Sequence, residues 1–206
     1  MFAVNRKIAF GDRLMRENPF ELDPGNKEHH KFIGFDFKEK TLGVIGLGNI
    51  GTVVARIGIA LEMNVVAFNR SRKTVNGVKM LGLNELLKRS DILSIHLPLT
   101  DDTRNLISSK EFELMKANAI LINTSQPEIV NIEALYNALK SNRLLGAGMD
   151  IGTMIKADHP LFKLDNVVLT PHEGSFTRES FFVILPEMIV ENVEAFVKRK
   201  PINLVN

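Results

Sequence analysis

The stretch TLGVIGLGNIG, Thr41 to Gly51, decides the fold. A short β-branched run, Val44 and Ile45, meets glycines at 46, 48 and 51, and an apolar helical pattern begins at once and runs to Leu61. Gly46 permits a tight turn off the strand, Gly48 lets backbone approach a pyrophosphate, and Gly51 lets the helix lie close on the sheet. Asn49 and Ile50 fall in the first turn of that helix, whose N–H groups are open to phosphate oxygens. A second strand pattern, NVVAF from Asn64, follows. Strand, glycine turn, helix and strand in that order are the context that makes such a turn a dinucleotide motif.

From Thr41 onward, strand and helix patterns alternate. Strand-like runs lie near 42–45, 64–68, 92–96, 119–122, 145–149 and 167–170, and helix-like runs near 50–61, 84–89, 109–116, 132–140 and 178–198. Ile132, Leu135, Tyr136 and Leu139 recur at helical spacing, with Asn131 placed as N-cap. Asn84 and Ser108 or Ser109 are expected to cap two other helices, and Pro186 to kink the last one. Six Ile-, Leu- and Val-rich strands, mostly separated by helices, predict a doubly wound parallel α/β sheet. Before it, residues 2–16 carry Phe2, Val4, Ile8, Phe10 and Leu14 among charges and read as an amphipathic helix ending before Asn18-Pro19. Residues 18–40 are polar and contain Pro24-Gly25. The pair His29-His30 lacks the spacing and carboxylate partner of a metal site and reads as solvated loop, so no metal is expected.

Ligands of such sheets bind beyond the carboxyl ends of the strands. The residues at or just past those ends are Gly46, Asn69, His96, Asn123, Asp150 and His172. Asn69 stands where an Asp or Glu would normally take the ribose hydroxyl of NAD. A carboxylate there would repel a 2′-phosphate. A neutral Asn followed by Arg70, Ser71, Arg72 and Lys73 suits one through charge-assisted hydrogen bonds. The expected cofactor is therefore NADP in preference to NAD.

Composition narrows the remaining classes. The chain has 206 residues, no cysteine, and 26 basic against 24 acidic residues, a net charge of +2. Disulfides and thiolate chemistry are excluded, and the charge balance gives no sign of a nucleic-acid surface. No apolar run reaches the length of a membrane span and no signal-peptide core is seen, so a cytoplasmic location is expected.

Six ordered segments together resemble the D-isomer-specific 2-hydroxyacid dehydrogenases. They are KTLGVIGLGNIG (Lys40–Gly51), HLPLTDDTRNLI (His96–Ile107), LMKANAILINTS (Leu114–Ser125), ALYNALKSNRLLGAGMD (Ala134–Asp150), HPLFKLDNVVLTPHEGS (His159–Ser175) and ENVEAFVKRKPINLV (Glu191–Val205). The resemblance covers the cofactor domain of that family. It implies a Rossmann-type fold with a linking helix and loop over 1–40, an NAD(P)-binding domain over 41–175 and a C-terminal helix and tail over 176–206. It also implies hydride transfer between the cofactor and a small 2-oxo or 2-hydroxy acid.

The resemblance places His172, in TPHEGS, as the catalytic acid/base and Asp150 beside the nicotinamide. Pro98, Thr100 and Thr103 fall in the loop packed on the cofactor, and Asn123, Thr124, Ser125 and Gly174 join the expected cofactor contacts. Two positions depart from the family's pattern. Gln126 replaces the arginine that binds the 2-oxo acid, and Ile155 occupies the place of the glutamate that pairs with the histidine. The roughly hundred residues that begin most of the family's substrate domain have no counterpart before Met1. A homodimer is implied, as is a substrate domain on a separate chain. A non-catalytic cofactor-binding homologue, or half of a split enzyme, is the alternative.

Overall fold

The computed structural model describes residues 1–17, 27–71, 73–152 and 154–204, in two compact units, Met1–Pro171 and His172–Asn206. The expected helix end at Asn18-Pro19, the turn at Pro24-Gly25 and Arg72 lie outside the described residues.

The first unit is built on parallel strands β1 (Thr41–Ile45), β2 (Asn64–Phe68), β3 (Val78–Met80), β4 (Ile92–Ile95), β5 (Ala119–Asn123), β6 (Leu144–Asp150) and β7 (Val167–Thr170). Among the described residues the sheet has seven strands in the order β3-β2-β1-β4-β5-β6-β7, all neighbours parallel. The order reverses between β1 and β4, immediately beyond which the glycine turn sits. That is where a doubly wound sheet opens its ligand crevice.

Six strands were expected, and the seventh is β3. It pairs with β2 over Val65–Ala67 at the sheet edge, and three residues with two exposed side chains give no apolar run to read. The central strands β1, β4 and β5 are buried along nearly their whole length, because helices cover both faces. On one side α4 (Leu83–Arg89), α5 (Ser109–Leu114) and α6 (Ile132–Lys140) supply Leu86, Leu87, Phe112, Leu135 and Leu139 to the core. On the other, α1 (Phe2–Asn5) and α3 (Asn49–Ala60) place Val4 and Ala55 against Leu42, Val44, Val65 and Ile120.

Local chemistry sets the helix ends. Asn131 caps α6 by accepting the Ala134 N–H at 2.9 Å. Ser108 caps α5 in a capping box with Glu111, whose carboxylate accepts the Ser108 N–H at 3.0 Å. The expected cap Asn84 is instead inside α4, and Gly82 stands at the N-cap. The expected single helix over 2–16 is two. α1 ends at Asn5 and α2 (Ile8–Glu17) restarts after Lys7, which adopts a left-handed φ of 48°. Asn5 holds the break. Its Nδ2 donates to the Phe35 carbonyl at 2.7 Å and its Oδ1 accepts the Phe35 N–H at 3.0 Å, so both ends of a buried amide are engaged.

In the second unit a π-type turn, Ser180–Ile184, leads into α7 (Leu185–Val197). Pro186 lies in the first turn of α7, where its missing N–H costs least, and the turn before it is widened. The expected kink takes this form. No helix among the described residues is long and apolar enough to cross a membrane.

Candidate functional site

The site begins at the end of β1. Gly46 adopts φ +92°, and a Cβ there would come within 2.3 Å of the His96 carbonyl oxygen. At Gly51 a Cβ would fall 1.9 Å from the Gly46 carbonyl oxygen, so the turn and α3 can approach this closely only as glycine. Gly48 differs, with open space within 4 Å of the position its Cβ would take. Two of the three glycines are demanded by the protein's own packing. The third faces a space the protein leaves clear, as a cradle for a diphosphate requires.

That space is a cavity of about 630 Å³ whose walls include Gly48, Asn49, Ile50 and Gly51 from the turn, His96 and Pro98 beyond β4, and Thr124, Ser125 and Gln126 beyond β5. The loop after β5 is firmly built. Asn123, buried, donates from Nδ2 to the Gln126 carbonyl and accepts the Ser125 N–H, both at 3.0 Å. Ser125 Oγ donates to the Ile95 carbonyl at 2.8 Å, tying this loop to the end of β4. Gln126 leaves its side chain exposed.

His96 joins Ser94 Oγ in a 2.9 Å hydrogen bond through Nε2, and burial pushes its pKa down to about 4. It is therefore neutral at pH 7, a polar wall of the cavity that carries no charge. Thr103 works at one remove. Its Oγ1 accepts the Thr100 N–H and donates to the Pro98 carbonyl, each at 2.8 Å, which fixes the turn below the cavity.

Beside this lies a second cavity of about 440 Å³, lined by Asn69, Arg70, Ser71 and Lys73 among others. Asn69 is committed to structure. Its Oδ1 accepts the Leu47 N–H at 3.0 Å, and its Nδ2 donates to Ser71 at the carbonyl (2.9 Å) and at Oγ (3.0 Å). Arg70 is exposed and pairs with Asp102 at 3.5 Å. That partner, 32 residues away on a different loop, is not marked by any motif or spacing.

Asp150 is buried at the end of β6 and accepts a hydrogen bond from Thr170 Oγ1 on β7. Gly46, Asn69, His96, Asn123 and Asp150 thus lie along one edge of the sheet, as expected for carboxyl ends of parallel strands. Ile155 is half-buried and packs on the apolar core, so no carboxylate occupies that place. His172 and Gly174 belong to the second unit, where His172 is exposed with a left-handed φ of 61°.

Another cavity, of about 740 Å³, lies at the opposite edge, against the strand starts Thr41, Asn64 and Val78. Of the cations on its wall, Arg89 is paired with Glu85 and Lys116 with Asp91. It is far from the glycine turn and has the wrong end of the sheet for the chemistry of this fold.

Comparison with known proteins gives this geometry a family. The family described as D-isomer specific 2-hydroxyacid dehydrogenase, NAD binding domain, matches residues 1–174. The chain is 44% identical to a glyoxylate reductase of Aeropyrum pernix over 213 residues, covering 100% of this chain and 63% of that protein. It is 39% identical to the glyoxylate reductase of Thermococcus litoralis, of which it covers 64%, and 38% identical to a D-3-phosphoglycerate dehydrogenase of Archaeoglobus fulgidus, of which it covers 39%. Among solved structures, an acyclic imino acid reductase in complex with NADPH and D-Arg superposes with a TM-score of 0.88 at 38% identity, covering all of this chain and 64% of that one. The chain thus spans less than two thirds of the length of these relatives. It belongs to the D-isomer-specific 2-hydroxyacid dehydrogenases, and what it contains is their nicotinamide-cofactor-binding Rossmann domain.

Proposed function

We propose that this chain is the cofactor half of an oxidoreductase that exchanges hydride between NADP(H), taken in preference to NAD(H), and a small 2-oxo or 2-hydroxy acid. The carrying observation is the cavity in which the open side of Gly48 faces His96 and the 124–126 loop. Glyoxylate reductases among the relatives supply the substrate class.

The bound nicotinamide supplies or accepts the hydride. The chain's own residues do the rest. N–H groups of the 48–51 turn hold the diphosphate, and a methyl group at 48 would stand where it must come. Arg70, Ser71 and Lys73 receive the 2′-phosphate, with Asn69 fixing the loop that carries them. In the reducing direction His172 donates a proton to the oxygen forming at C2, a contribution of about 10²–10⁴-fold for a well-placed general acid. Gln126 offers one neutral amide donor in place of a guanidinium fork. A lost hydrogen bond to a charged group weakens substrate binding by roughly one to two powers of ten.

A second proposal concerns what completes the enzyme. We propose that the polypeptide equivalent to the remaining third of the relatives' length, the substrate domain, completes it, joined to this chain or separate from it. A homodimer of the cofactor domains is proposed from the family resemblance, in a cytoplasmic setting.

The test is NADPH oxidation with glyoxylate or hydroxypyruvate by the protein with and without His172→Ala. Turnover that disappears in the variant is the expected result. Turnover that survives removes His172 from the reaction, and failure to bind either NADPH or NADH overturns the cofactor assignment.

A further inference from the structure

We infer that Asp102 is a cofactor-selectivity residue, one that acts on the 2′-phosphate pocket through Arg70 and holds the preference for NADP(H) over NAD(H) low. The inference rests on the NADP reading proposed above. Rossmann sites that take NAD normally keep a carboxylate just past β2, where it disfavours a 2′-phosphate. Here that position is Asn69, and both ends of its amide are engaged by Leu47 and Ser71. The carboxylate arrives from elsewhere. Asp102, on the loop beyond β4, reaches Arg70 Nη1 at 3.5 Å.

Both backbones are set before any ligand arrives. The Asp102 turn is closed by Thr103 Oγ1, bonded to the Thr100 N–H and the Pro98 carbonyl, and by the Arg104 N–H on the Thr100 carbonyl at 3.0 Å. The Arg70 loop is held by Asn69. While its Nη1 faces Asp102, Arg70 offers fewer of its N–H groups to a phosphate. A carboxylate left beside a doubly charged 2′-phosphate also repels it. NADH carries no 2′-phosphate and meets neither obstacle. Asp102 therefore handicaps NADPH alone.

The experiment measures dissociation constants for NADPH and NADH at low ionic strength by fluorescence titration, on the wild type, Asp102→Asn, Arg70→Ala and the double variant. Exposed ion pairs are weak, so Asp102→Asn is expected to tighten NADPH by about two- to fivefold, with NADH changed less than twofold. In the Arg70→Ala background the gain should be smaller, because only the direct repulsion of the 2′-phosphate by Asp102 is then left to remove. No gain for NADPH, or an equal gain for both cofactors, overturns the inference while leaving the NADP reading intact, provided Arg70→Ala lowers the NADPH:NADH affinity ratio. If Arg70→Ala leaves that ratio unchanged, the NADP reading itself fails, and the inference with it.

Discussion

Leu47, in the glycine turn, donates its backbone N–H to Asn69 Oδ1 at the end of β2, at 3.0 Å. The residue that stands where a ribose-binding carboxylate is normally found is thus a brace between the glycine turn after β1 and the loop after β2. Asn69→Ala removes that acceptor and both donors to Ser71. Each such hydrogen bond contributes about 0.5–1.5 kcal/mol, so binding of NADPH and NADH should weaken together by roughly three- to tenfold. Calorimetric titration of both cofactors checks this, and a loss confined to one of them would contradict the bracing role.

His96 links stability to pH. Its folded pKa of about 4 lies below the ordinary value of 6.5, so the folded protein binds this proton less readily than the unfolded chain. The stability this implies is intact above pH 6.5 and is lost as pH falls from 6.5 toward 4. Between pH 7 and 5 the loss attributable to His96 is on the order of 1–2 kcal/mol. Urea midpoints of the wild type should fall more over this range than those of His96→Gln. Parallel decline in the two would show that His96 is not the group responsible.

The two departures from the family's catalytic pattern differ in what restoring them does to the fold. Gln126 is exposed and tolerates Arg with little change in stability. Ile155 packs on the core, and a carboxylate there costs about 1–3 kcal/mol unless it finds a partner. Gln126→Arg alone should leave the thermal midpoint near wild type, whereas Ile155→Glu should lower it. Any 2-oxo-acid reduction should rise in the double variant. Turnover measured alongside melting curves separates the two effects.

Much of the fold was legible because its central strands are buried on both sides and so read as apolar runs rich in Ile, Leu and Val, closed by Gly46 after β1 and by polar His96 and Asn123 at β4 and β5. The glycine turn was legible because sterics leave no other residue at 46 and 51. β3 was not, since Val78-Lys79-Met80 is an edge strand whose pairing depends on β2 rather than on its own pattern. The break between α1 and α2 is set by Asn5 bonding Phe35 thirty residues on, and no Gly or Pro announces it. The Arg70–Asp102 pair was invisible for the same reason. Which surface side chains meet across two loops is decided by the sheet order, not by spacing along the chain.

The most direct measurement compares NADPH binding and melting temperature for wild type, Gly48→Ala and Gly51→Ala. A Cβ at Gly48 meets no protein atom within 4 Å, whereas one at Gly51 lies 1.9 Å from the Gly46 carbonyl oxygen. Gly51→Ala should cost about 3 kcal/mol, a drop of roughly 6–12 °C. Gly48→Ala should melt within about 2 °C of wild type yet bind NADPH at least about tenfold more weakly, because its methyl group occupies the place of the diphosphate. A Gly48→Ala protein that is folded and binds NADPH as well as wild type would contradict the assignment of this cavity to the cofactor.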